Sequence, residues 1–130
     1  FGGNPVSMAA GHAVLDVIQA ETLPARAVTT GEALLQGYRK LAERFPIIGD
    51  VRGMGLFIGV ELVSDRDART PAPEAADHIV DQLRLRGILA ATDGPDDNVL
   101  KIKPPMVFGP DEAAILLAET EAALMTLTQA

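Results

Sequence analysis

Residues 47–63 read IIGDVRGMGLFIGVELV, and this stretch decides the fold. Two runs rich in aliphatic and β-branched residues, 47–52 and 56–63, flank the short link Gly53-Met54-Gly55. Strand-length runs joined by a glycine-bearing link predict an antiparallel pair. Gly53, Gly55 and Gly59 superficially resemble a phosphate-binding loop, but their spacing is GxGxxxG and leads into a strand. A dinucleotide fingerprint needs a helix N-terminus there for the pyrophosphate, so hairpin glycines are the better account.

Upstream, a helix is predicted over 24–45, ended by Pro46. Gly31, Leu34, Leu35, Tyr38, Leu41, Ala42 and Phe45 share one stripe, with Arg39, Lys40, Glu43 and Arg44 on the wet side. Asn4-Pro5 starts an earlier helix, in which residues 6–18 leave no polar face of any width. Such a helix is expected to pack on nearly all sides, which a domain of this size cannot supply alone. Downstream, a charged loop at 64–72 leads to a helix beginning at Pro73 and stopped by Gly87, with Ala76, Ile79, Val80 and Leu83 inward. A short buried strand is predicted at 88–91, a turn at 92–98 (TDGPDDN) and a strand at 99–103 ended by Pro104-Pro105. A last helix opens at Pro110 and runs to about residue 127. The order α-α-β-β-α-β-β-α predicts an α+β fold (α/β in broad classing), a small, mainly antiparallel sheet covered by helices.

The 130 residues carry 11 Lys plus Arg against 18 Asp plus Glu, a net charge of −7. That acidity argues against duplex nucleic acid as a partner, since phosphates require a basic face. With no cysteine there is no disulfide framework, thiolate metal site or cysteine nucleophile. No run approaches the roughly 20 apolar residues of a membrane span, so no membrane partner is expected and a cytoplasmic home is the default. The chain opens at Phe1 with one formal charge, Asp16, in its first 20 residues. That beginning leads us to expect a piece of a larger protein.

Few residues offer chemistry. His12 and His78 have no neighbouring His or Cys to make a metal pair; His78 is expected on a solvated helix surface and His12 in a packed position. Asp65 and Asp67 flank Arg66, and Asp96-Asp97 lie in a turn; both pairs read as solvated turn carboxylates. Arg52 is expected to be structural, pairing with a carboxylate or carbonyl. Lys101 and Lys103, at i and i+2 in a strand, project to one face while Leu100 and Ile102 point inward. They fit either a charged strand edge that discourages aggregation or a basic lip on an anion site.

Three segments, FGGNPVSMAAGHAVLDVI at 1–18, IIGDVRGMGLFIGVELV at 47–63 and NVLKIKPPMVFGPDEA at 98–114, resemble the class III, fold-type I, pyridoxal-phosphate (PLP)-dependent aminotransferases. The resemblance covers essentially the whole chain, in order. DGPDDNVLKIKPPMVF and the FGGNP opening are most similar to a branch related to alanine–glyoxylate aminotransferase 2, which includes ethanolamine-phosphate and phosphohydroxylysine phospho-lyases. It implies the C-terminal small domain of a homodimeric fold-type I enzyme, with residues 1–20 a helix packed on the large domain and 21–130 the small domain. The enzyme would be a transaminase, or a phospho-lyase that eliminates phosphate from a small amino-phosphate.

The resemblance also implies that the Schiff-base lysine lies in the large domain, so this chain alone would be inactive and hold no catalytic residue and no PLP. None of Lys40, Lys101 and Lys103 matches the family's Schiff-base motif, and the family's cofactor-phosphate threonine would precede Phe1. Lys101 stands where typical members carry an arginine that grips a substrate carboxylate. Arginine offers a planar fork for carboxylate, lysine a point charge, so Lys101 suits a phosphate, or a substrate lacking a carboxylate. Lys101 and, more weakly, Lys103 are the expected substrate-binding residues; no metal site is expected. The rival reading is a free-standing α+β binding or regulatory module without catalysis.

Overall fold

Asn4 caps the first helix, α1 (Pro5–Ala20), as its place before Pro5 predicts: its Oδ1 accepts from the amides of Val6 and Ser7. The computed structural model describes residues 3–127, so Phe1 and Gly2 of the opening motif lie outside the described residues. Thr22, in the left-handed region at φ 49°, turns the chain into α2 (Leu23–Arg44). The predicted stripe is the buried one: Gly31, Leu34, Leu35, Tyr38 and Leu41 face the core.

The hairpin follows as β1 (Ile48–Met54) and β2 (Phe57–Asp65), antiparallel, with Met54 opposite Phe57. Gly55 takes φ +56° in the turn, and its carbonyl lies so close to α2 that a Cβ on Gly31 would overlap it. Arg66, just past β2, donates through Nη2 to the carbonyls of Ala42 and Ile48, tying the loop back to α2 and β1. A two-residue strand, β3 (Thr70–Pro71), pairs with the end of β2 where only loop was predicted.

Helix α3 (Pro73–Leu85) ends at Gly87 as predicted. Gly87 at φ +81° donates to the Arg84 carbonyl and Ile88 to the Leu83 carbonyl, a paired closure that caps the last turn. This closure corrects the strand expected at 88–91. Residue 88 is still finishing the helix, and pairing begins only at β4 (Ala91–Asp93). That strand shares Ala91 with the expected one, takes its other two residues from the segment read as a turn, and is exposed at Ala91 and Asp93 instead of buried. The chain then turns at Gly94 into β5 (Val99–Ile102) and ends with α4 (Pro110–Leu127).

The main sheet runs β1-β2-β5-β4 with every pair antiparallel, the α+β architecture expected. Ile58, Val60, Leu62, Leu100 and Ile102 point from its central strands into a core closed by α2, α3 and α4. Asn98 is buried at the start of β5 and donates to the Leu62 carbonyl, fixing β5 beside β2. Among the described residues no helix covers the opposite sheet face, where Arg52, Phe57 and Asp93 are exposed. Helix α1 touches only α2 among the described elements and buries none of its residues.

Candidate functional site

Strand register builds the site. Gly59 in β2 stands opposite Arg52 of β1 on one side and Lys101 of β5 on the other, and Lys101 stands opposite Ala91 of β4. Their neighbours Ile58, Val60, Leu100 and Ile102 are buried, so alternation puts Arg52, Gly59 and Lys101 on the bare face. Gly59 has no side chain, so only backbone stands between the two cations in register.

They are differently committed. Arg52 Nη1 donates to the carboxylates of Asp50 and Glu61, the structural pairing its sequence context predicts. The bond to Asp50, followed by that to Glu61, holds the guanidinium above its ordinary pKa. Lys101 Nζ lies 2.7 Å from Asp93 Oδ2, and Asp93 Oδ1 accepts from the Gly94 amide at 2.8 Å. The Lys101 bond, with help from Gly94, holds the Asp93 carboxyl below the usual carboxylate range. Lys103, past the end of β5, places its ammonium 5.9 Å from the ring centre of Phe57, within cation–π range.

Two clefts meet at Lys101. One, of about 540 Å³, lies over Gly59 between Arg52, Phe57, Asp93 and Lys101. The other, of about 630 Å³, has apolar walls including Leu89, Pro104, Phe108 and Ile115, with Lys101, Lys103 and Glu112 as its charged lining. The structure therefore brings both predicted lysines to one place, with Lys101 in the wall common to both clefts. β5 is an inner strand between β2 and β4, which removes the strand-edge explanation for Lys101; Lys103 lies past its end, since β5 stops one residue short of the expected strand. Asp93 was not singled out from sequence because TDGPDDN reads as turn formers throughout. Only the β4–β5 register, with Asp93 opposite Val99 and Ala91 opposite Lys101, brings residue 93 diagonal to residue 101.

The remaining candidates do not converge. Asp65 Oδ1 caps its own turn by accepting from the amides of Asp67 and Ala68, and Asp96 and Asp97 are exposed. His78 corrects the solvated-surface expectation: half-buried, it meets Thr126 of α4 at 2.8 Å. That hydroxyl already gives its proton to the Ala123 carbonyl, so His78 Nε2 is the donor. His12 is exposed on α1, the helix that buries none of its residues against the other described elements. Among the described residues no cluster could hold a metal ion, and no helix is long and apolar enough to cross a membrane.

The family model "Aminotransferase class-III" matches residues 1–124. The chain belongs to the class III aminotransferase family. Within it, the chain is 47% identical over 114 residues to the alanine–glyoxylate aminotransferase 2-like protein of Drosophila melanogaster, covering 87% of this chain and 23% of that relative. It is 48% identical over 117 residues to alanine–glyoxylate aminotransferase 2 homolog 2, mitochondrial, of Arabidopsis thaliana, covering 90% and 24%. A phospholyase from Arthrobacter, solved in complex with phosphoethanolamine, superimposes with a TM-score of 0.90 at 42% identity, covering 94% of this chain and 29% of that one. The class III chain described here thus spans about a quarter of the length of the curated relatives it matches.

Proposed function

We propose that this chain is the small C-terminal domain of a PLP-dependent class III enzyme, and that Lys101 binds the anionic end of a small amine substrate. The observation that carries this is the position of Lys101 in the wall shared by two clefts. A point charge suits phosphate better than it suits bidentate carboxylate recognition. The likeness to a phospholyase solved with phosphoethanolamine supports an amino-phosphate substrate and elimination of phosphate over transfer of the amino group. Lys103 would add a second positive charge on the side of the larger cleft.

The described residues do not fit the whole cofactor. PLP requires a lysine amine for its Schiff base, an acid for the pyridine nitrogen and a cradle for its phosphate. Here Lys101 is paired with Asp93, Lys103 lies over Phe57, and Lys40 is exposed on α2. We therefore assign the Schiff-base lysine and the cofactor pocket to a large domain outside this chain. The bare apolar side chains of α1, Val6 at 77% and Val14 and Leu15 at 58% exposure, support the reading of residues 1–20 as its contact with that domain or across a homodimer. A cytoplasmic location belongs to the same proposal. No observation favours the free-standing binding module.

The test is phosphate release by the full-length, PLP-loaded protein given phosphoethanolamine without any keto acid. Sustained release is the expected result. No release, with amino transfer to pyruvate or glyoxylate from an amine donor, would make the enzyme an ordinary transaminase and overturn the phosphate reading.

A further inference from the structure

Lys101 is the cation on which both clefts converge, yet without ligand its ammonium is already engaged. We propose that Asp93 is an internal counter-anion that competes with the substrate's anionic group for Lys101, so that anion binding here is an exchange of partners. This rests on the reading of Lys101 as the anion-binding residue.

The geometry is local and prearranged. Ala91 stands opposite Lys101 and Asp93 opposite Val99, so Asp93 and Lys101 are diagonal neighbours on the same face of the β4–β5 pair. Asp93 does not swing freely, because its Oδ1 is held by the amide of Gly94 while Oδ2 meets the ammonium at 2.7 Å. Gly94 sits at φ +91°, a conformation that L side chains rarely adopt, and a Cβ there would come within 3.3 Å of Val99 Cγ2. The turn thus fixes the carboxylate, and the lysine, on its flexible stem, is the partner able to leave.

It has somewhere to go. Asp93 lines only the cleft over Gly59, whereas Lys101 lines both. On the far side lies the larger cleft, lined by Lys103, which has no ion-pair partner among the described residues, and by Glu112, whose Oε2 accepts from the Gly109 amide. An anion bound there would draw the Lys101 ammonium from one cleft to the other. The existing pair is breakable, with side chains 38% and 56% exposed, in the regime where ion pairs contribute little. Arg52 is different: two carboxylates hold it, one of them, Glu61, from the neighbouring strand. Lys101 is the releasable cation of this face, and Asp93 sets how readily it is released.

The experiment is titration of the full-length, PLP-loaded enzyme with inorganic phosphate, followed by calorimetry, for wild type, Asp93→Asn, Lys101→Gln and the double variant. Asparagine keeps an oxygen for the Gly94 amide and removes only the charge, at an exposed position where folding is not at stake. Asp93→Asn is expected to tighten phosphate binding about two- to fivefold, the range of a broken surface pair. Asp93→Ser is expected to shift it in the same direction. Lys101→Gln is expected to weaken binding, and in that background Asp93→Asn should have no further effect. If Lys101→Gln weakens binding but Asp93→Asn leaves it unchanged or weaker, the exchange is overturned while the anion site stands. If Lys101→Gln leaves binding unchanged, both fall together.

Discussion

Arg52 and Lys101 flank Gly59 from opposite strands on one face of the sheet, each in cross-strand register with it. The floor between the two cations is therefore backbone. A Cβ on Gly59 would come within 3.1 Å of Val99 Cγ1, a tight contact that the neighbouring side chain must yield to. Gly59→Val is expected to cost about 1–3 kcal/mol of stability and to fill the cleft between the cations. In the full-length enzyme it should lower kcat/KM on phosphoethanolamine. Urea unfolding and steady-state kinetics check the two effects separately.

Gly31 makes a prediction with the opposite sign to helix propensity. Replacing a mid-helix glycine by alanine ordinarily gains about 1 kcal/mol. At Gly31 the added Cβ would overlap the carbonyl of Gly55 in the hairpin turn, and neither backbone can move without shifting α2 off the sheet. Gly31→Ala is expected to destabilise the chain by about 1–3 kcal/mol. Urea denaturation measures it; a rise in stability would contradict the close approach of α2 to the turn.

Tyr38 and Thr120 join α2 to α4 through hydroxyls 3.3 Å apart in the buried core. Thr120 gives its own proton to the Leu116 carbonyl, so Tyr38 is the donor. Burial pushes the Tyr38 phenol from 10.0 up to about 12. Above pH 10 the unfolded chain releases this proton while the folded chain keeps it. The stability that the raised pKa represents is therefore intact below pH 10 and lost as pH rises towards 12, by roughly 2–3 kcal/mol in all. Tyr38 is the chain's only tyrosine, so its tyrosinate absorbance reports this ionisation directly. Tyr38→Phe is expected to lose about 1 kcal/mol at neutral pH and to lose this alkaline component of instability. Urea midpoints measured across that pH range check both.

The sequence was most legible where a pattern is local. The α2 stripe from Gly31 to Leu41, the glycine-marked hairpin and the alternation of Leu100 and Ile102 with Lys101 and Lys103 all follow from spacing along one element. What was missed depends on partners far along the chain. β4 lies later than expected because the closure at Gly87 and Ile88 takes the first of the apolar residues that looked like strand. β3 exists only because β2 extends far enough to pair with it. Asp93 has no mark of its own in TDGPDDN, and its role appears only once the β4–β5 register puts it beside Lys101. His78 likewise looks like surface until α4 arrives.

The central claim is that Lys101 takes the anionic end of the substrate. Its most direct test is Lys101→Ala in the full-length, PLP-loaded enzyme, comparing kcat/KM for phosphoethanolamine with wild type. Losing one charge-assisted contact to phosphate should lower it about ten- to hundredfold, mainly through a raised KM. An unchanged kcat/KM would contradict the account and leave Lys101 a surface residue paired with Asp93.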